Sequence, residues 1–340
     1  MSDNDVQEAP NAGAAVAVAP AFEIEEETLL EGADRRSVRY IFGRLMSNTS
    51  SVIGTLLLVF FAVVALAAPI LAPCPDDPRE GRRCRENAYQ VPKYGYSSNP
   101  QPPSETHWFG TTTDQYDIYY GVVWGARTAF KVGIIIVACA LLIGLTIGSI
   151  SAYYGGLVDE VLMRIVEIFQ AFPFLLAAIT LATILRTRPQ FQGILPAMMA
   201  LIVFGWTGYA RLVRADILTV KQRDYVWAAR SLGASDFHII TRHVLPNSIF
   251  PVLVVASLDI GTYVLTFAAL SFFGIGVPQG YADWGQMIAS ARNRIPSLEK
   301  DWYIVAFPGV AIILFSLAWN LIGDAFRDIL DPRLTGGKGA

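Results

Sequence analysis

Charge is scarce in this 340-residue chain: 16% of its residues are Asp, Glu, Lys or Arg, where soluble domains carry ~25%. That deficit argues against a water-solvated enzyme. Cysteine is scarcer still, at three residues, which excludes a disulfide-built scaffold. The five lysines, Lys93, Lys131, Lys221, Lys300 and Lys338, are followed by Tyr, Val, Gln, Asp and Gly. A phosphate-cradling loop needs Gly-Lys and then Ser or Thr, so none of them serves one. None of the three histidines opens an H-E-x-x-H helix, and no G-x-S-x-G elbow occurs. A net charge of −3 leaves no electrostatic footprint for nucleic acid. These gaps point away from catalysis by this chain, and no metal or cofactor site is expected on it.

Apolar residues are plentiful, at 53%, and mean hydropathy is +0.42. They come in blocks of bilayer length, since ~20 residues rising ~1.5 Å each cross a hydrocarbon core of about 30 Å. Six blocks are predicted to span: 51–72, 132–153, 160–185, 193–213, 249–273 and 303–323. The expectation is an all-α integral membrane protein with both termini on one side. A signal peptide is the rival reading of the first block, but a preceding tail of about 50 residues is too long for one. Residues 1–37 are Ala-, Pro- and Glu-rich and read as a disordered tail. A basic segment, 38–50, follows, and Arg35, Arg36, Arg39 and Arg44 favour a cytoplasmic N-terminus. Arg79, Arg82, Arg83, Arg85 and Lys93 weigh the other way, within a long loop where such charges count for little.

That loop, 73–127, is rich in Pro, Asn, Ser and Tyr and holds Cys74 and Cys84. In an oxidising compartment they form a disulfide; otherwise they are two thiols. Cys139 falls in an apolar block and reads as a packing residue. Gly144 and Gly148, four apart, suit close helix approach. Asp259 lies inside the fifth block, where a carboxylate costs ~2.5–3.5 kcal/mol on insertion scales. It is therefore expected to face protein or water, as part of a pathway lining, as a structural bond to another subunit, or as a protonated or locally hydrogen-bonded acid. Arg164 and Glu167, three apart, pair on one helix face, and Pro173 interrupts the same helix.

Between the fourth and fifth blocks, 214–248 is helical in pattern but too polar to span. Tyr225, Ala228, Ala229 and Leu232 fall at i, i+3, i+4 and i+7, a single apolar face. Asp224 offers a cap at the start, Gly233 a left-handed stop and Ser235 a second N-cap. The expected object is helix, sharp turn, helix. It either lies on the bilayer or docks in a groove on a soluble partner.

Ala228-Ala229, then Gly233, then Leu245-Pro246, resembles the EAA loop of ABC-importer permeases. Further segments are similar to the dipeptide/oligopeptide branch, in its C-type permease. They are His107-Trp108-Phe109-Gly110-Thr111, Gly125-Ala126-Arg127, Ala171-Phe172-Pro173 and Gly208-Tyr209-Ala210-Arg211. Ala268-Ala269-Leu270-Ser271-Phe272 with Gly274 and Gly276, and Asp283-Trp284-Gly285, continue the series. Phe307-Pro308-Gly309 and Gly323-Asp324 to Asp331-Pro332-Arg333 complete it. The resemblance covers about Val38 to Leu334 and implies a type I ABC importer permease fold (MetI-like), with a core domain over 128–334. It implies that Asp224–Ser235 is a coupling helix for an ATPase, through Asp224, Tyr225, Trp227, Ala228, Ala229, Leu232, Gly233, Ala234 and Ser235. Asp259, Glu167 and Arg164 are the polar candidates for a translocation path. The implied partners are a second homologous permease, two ABC ATPase subunits that use ATP and Mg, and a solute-binding protein outside a prokaryotic inner membrane. Both termini would then be cytoplasmic, 274–302 would join the first loop outside, and 335–340 would be a short tail. The substrate expected is a di- or oligopeptide, with nickel chelates or oligosaccharides as alternatives. A channel or ion-gradient-driven transporter is the rival class. Three positions depart from the pattern: Trp227 stands for the usual Glu, Phe267 for another Glu, and 112–117 lacks the usual Gly-Arg before Asp117.

Overall fold

The computed structural model describes residues 48–96, 99–292 and 297–330. The expected N-terminal tail, the arginines at 35, 36, 39 and 44, the Asp331-Pro332-Arg333 motif and the 335–340 tail lie outside the described residues. Among the described residues the chain is helical, and its only β-type pairings are isolated bridges.

Helix α1, Thr49–Leu71, begins at Asn48, whose side chain accepts from Ser50 N at 3.2 Å. A short α2, Arg82–Glu86, lies in the first loop. Helix α3, Ile118–Tyr154, runs 37 residues, about 55 Å at ~1.5 Å per residue. The apolar block expected over 132–153 is only its second part. Arg127 and Lys131 break the hydropathy upstream, yet Asp117 caps a helix that starts at Ile118, accepting from Tyr120 N at 2.7 Å. The third block is two helices, α4, Gly156–Gln170, and α5, Phe174–Arg186, bent by 84°. Pro173 has no N–H to continue the ladder, so the break falls there.

Helix α6, Leu195–Val220, leads into α7, Asp224–Ser231, and α8, Asp236–Ile239. A π-helical turn, Ile240–Val244, joins α8 to α9, Leu245–Phe272. Helices α10, Trp284–Ser290, and α11, Leu298–Asp301, precede α12, Tyr303–Leu330. Among the described residues five helices are long and apolar enough to cross a membrane, and the bent α4–α5 pair makes a sixth crossing if it is one span.

Packing follows the small residues. Helix α3 lies most extensively along α6, and α12 along α9 and α1. A methyl on Gly144 would sit 2.4 Å from Tyr209 Cβ, and one on Gly148 would sit 2.5 Å from the Ala210 carbonyl oxygen. Glycine at both places lets the backbones of α3 and α6 approach, and dispersion over that contact holds the pair where hydrophobicity cannot. The opposite side of α1 shows Leu56, Phe60, Val63, Leu66 and Ile70 outward, a face suited to lipid.

Candidate functional site

The segment between α6 and α9 is fixed by its own backbone first. Asp224 is the first residue of α7, not its cap: Arg223 takes the cap position and no side chain bonds there. The helix ends at Ser231, earlier than the Asp224–Ser235 span expected. Gly233 then adopts φ +80°, its N–H bonds the Arg230 carbonyl at 3.0 Å and Ala234 N–H reaches the Ala229 carbonyl at 3.2 Å. Those two bonds satisfy carbonyls that the helix end would leave open. Ser235 caps α8, accepting from His238 N at 3.4 Å.

The apolar face of α7 is not the one that the bundle covers. Val226 is the residue buried inward, at 2% exposure. Tyr225 and Ala228 are exposed and Ala229 is half-buried. Trp227, Leu232 and Phe237 show 56%, 88% and 76% of their surface. The helix–turn–helix therefore presents aromatic and aliphatic groups outward from one end of the bundle, beside the Arg230 guanidinium, 5.5 Å over the Trp227 ring.

Polar contacts tie this segment to the helix ends beneath it. Lys221 Nζ donates to the Ala152 carbonyl at 2.6 Å. Arg230 Nη2 donates to the Tyr153 hydroxyl at 3.2 Å, and that hydroxyl donates to Asp236 Oδ1 at 2.6 Å. Below them Arg214 grips Asp159 with two bonds of 2.5 Å each, and Ser151 Oγ donates to the same carboxylate. Bidentate guanidinium–carboxylate pairs hold orientation as well as position.

The remaining polar candidates do not converge on this end or on one another. Asp259 on α9 accepts from the Tyr209 hydroxyl of α6 at 2.6 Å, a bond between helices. Arg164 and Glu167 on α4 pair at 2.9 Å with both side chains exposed. Phe267, where the resemblance would place an acid, is buried in apolar surroundings.

At the other end, Cys74 and Cys84 are joined in a disulfide with Cα atoms 5.8 Å apart. The loop it staples borders an open polar basin of about 1020 Å³ lined by residues including Arg79, Glu80, Arg83, Lys93, Tyr96 and Gln279. Gln115 takes φ +65° in the departing 112–117 stretch, and Tyr116 N bonds Thr112 Oγ1 at 3.1 Å. Trp124 Nε1 donates to the Ala72 carbonyl at 3.0 Å, anchoring α3 under the loop. Asp283 caps α10, accepting from Gln286 N at 2.9 Å and from Ser271 Oγ. Burial pushes its carboxyl up to about 6 against those two bonds.

Sequence reasoning did not find Tyr153, Lys221, Arg230, Asp236 or the Asp159–Arg214 pair as a group. Partners separated by 55 to 83 positions leave no periodic trace. The available hint was a tyrosine closing an apolar block just before two glycines.

Comparison with known proteins gives a consistent result. The family model described as the binding-protein-dependent transport system inner membrane component matches residues 144–336. A dipeptide transport system permease protein of Alkalihalophilus pseudofirmus is 35% identical over 296 residues, 87% of this chain and 90% of its own length. A probable D,D-dipeptide transport system permease protein of Escherichia coli is 41% identical over 237 residues, 70% of this chain and 76% of its own. Among solved structures, an inward-facing form of the MetNI methionine ABC transporter aligns with a TM-score of 0.51 at 18% identity, over 62% of this chain and 97% of that one. The last likeness bears on the fold.

Proposed function

The chain belongs to the family of binding-protein-dependent transport system inner membrane components, and from that premise we propose that it is one permease subunit of an ATP-driven importer of di- or oligopeptides. The peptide substrate is carried over from the names of relatives such as the A. pseudofirmus dipeptide permease. The α7–α8 segment is the coupling element. One observation carries this reading: Tyr225, Trp227, Leu232 and Phe237 stand outward on a helix–turn–helix that is itself held firmly. Burying each such side chain is worth roughly 1.5–3 kcal/mol, and an amphipathic helix seated in a groove is a common way to gain it. Trp227 replaces the ionic contact of the family's Glu with an indole filling an apolar cleft.

ATP and Mg belong to the two ATPase subunits, and this chain hydrolyses nothing itself. A second, non-identical permease completes the path. The exposed Arg164–Glu167 pair on α4 faces that path or that subunit, since lipid would penalise it. Asp259 serves chiefly to bond α9 to α6. The chain lies in a prokaryotic inner membrane with both termini and α7–α8 in the cytoplasm. The stapled first loop is then outside, where a solute-binding protein meets it and a disulfide persists.

The test is reconstitution of the whole complex in proteoliposomes. Labelled dipeptide uptake should require both ATP and the binding protein. Replacing Trp227 and Leu232 together with Asp should release the ATPase on purification. Uptake driven by an ion gradient without ATP would overturn the reading.

A further inference from the structure

We infer that the Tyr153 hydroxyl is the positioning group that carries displacement of α7 and α8 into α3, an assignment that rests on the coupling role proposed above. Tyr153 closes the last turn of α3 and is buried. Gly155 and Gly156 follow at φ +66° and +54° and turn the chain into α4. Its hydroxyl uses both of its capacities. It donates to Asp236 Oδ1 at 2.6 Å and accepts from Arg230 Nη2 at 3.2 Å. Arg230 sits on α7 and Asp236 opens α8, so one oxygen holds both helices across the Gly233 turn. The guanidinium also lies 5.7 Å over the tyrosine ring.

Three consecutive residues divide the work at this helix end. Ser151 bonds the Asp159 carboxylate of α4, and the Ala152 carbonyl takes Lys221, just past α6. Tyr153 alone of the three takes side chains from α7 and α8. A ring kept for packing needs no oxygen, and a part-buried hydroxyl between opposite charges is tolerable only when both bonds are made. The bonds connect a segment that the chain leaves through a π-helical turn, a common mark of functional sites, to the 37-residue α3.

The experiment uses the complete complex in proteoliposomes and reads three quantities: ATPase co-isolation, ATP hydrolysis, and peptide imported per ATP hydrolysed. Tyr153→Phe keeps the ring and removes both bonds. Expected are full co-isolation, continued hydrolysis, and a drop in peptide per ATP of roughly tenfold, the equivalent of about 1.4 kcal/mol. Asp236→Ala cuts only the bond to α8, leaves the Arg230 bond in place and should give a smaller drop, roughly fivefold, while Asp236→Asn, which still offers an accepting oxygen, should stay within about twofold of the wild type. The double variant Tyr153→Phe with Asp236→Ala should be no worse than Tyr153→Phe alone, because the bond to Asp236 is already gone in that single change. An unchanged ratio in Tyr153→Phe, or losses that multiply in the double variant, would overturn the assignment. Where Tyr153→Phe fails to accumulate, the contrast between Asp236→Ala and Asp236→Asn decides alone. A wild-type chain that does not co-isolate an ATPase would overturn the docking reading and this assignment with it.

Discussion

Gly233 provides a graded test of the coupling role proposed for its turn, because its cost can be separated from packing. No heavy atom lies within 4 Å of where its side chain would begin, so substitution introduces no clash. What changes is the backbone. At φ +80° an ordinary L-residue costs roughly 1–2 kcal/mol, while Asn, which visits that region more readily, costs less. Proline adds three penalties: its φ is held near −65°, the bond to the Arg230 carbonyl is lost, and Leu232, at φ −81° and ψ 2°, is pushed toward extended geometry. The sum exceeds about 3 kcal/mol, and the turn cannot keep its shape. Gly233→Asn, Gly233→Ala and Gly233→Pro should therefore lose ATP-dependent uptake in that order, the last completely, at equal membrane abundance. Uptake in proteoliposomes, normalised to inserted protein by immunoblot, measures it. Near-normal uptake in Gly233→Pro would refute the reasoning outright.

Three other outcomes are expected. The Asp283 carboxyl titrates near 6 when folded and near 4 when unfolded, so the folded state holds this proton more tightly. Its contribution is full below about pH 4 and is lost as pH rises through 6, about 3 kcal/mol in all; thermal melts in detergent should show that slope, and Asp283→Asn should flatten it. Gly144→Leu drives a side chain into Tyr209 Cβ, 2.4 Å from the first added carbon, and should cost about 1–3 kcal/mol, visible as a lowered melting temperature. Tyr209→Phe removes the 2.6 Å bond to Asp259 and should cost about 1–3 kcal/mol, with Asp259→Asn in the same background recovering part of it.

Much of the bundle was legible because a bilayer imposes length. Blocks of apolar residues translate directly into helices, and Pro173 marked the break in the third. The start of α3 was hidden because Arg127 and Lys131 are charged yet sit under the first loop, where Lys131 lies 5.7 Å over the Tyr89 ring and Arg127 lies 5.1 Å over the Trp124 ring. At the candidate site, Gly233 and Ser235 announce their backbone roles through residue type alone. The direction in which α7 faces was not readable: period 3.6 identifies an apolar stripe, but not whether the parent protein or a partner covers it. Val226 goes inward while Leu232 goes outward, and only the packed helices decide between them.

The length of α3 has a consequence of its own. One end carries Trp124, bonded to the backbone where the stapled loop begins, and the other carries Tyr153, bonded into α7 and α8. A continuous helix resists compression, so the two ends cannot shift independently. By linkage, any ligand that favours one setting at the loop end must favour the matching setting at the α7–α8 end by the same free energy, and the reverse holds equally. A delivery protein arriving on one side of the bilayer and nucleotide closing the engine on the other would then be read by one rod, each making the other's step easier.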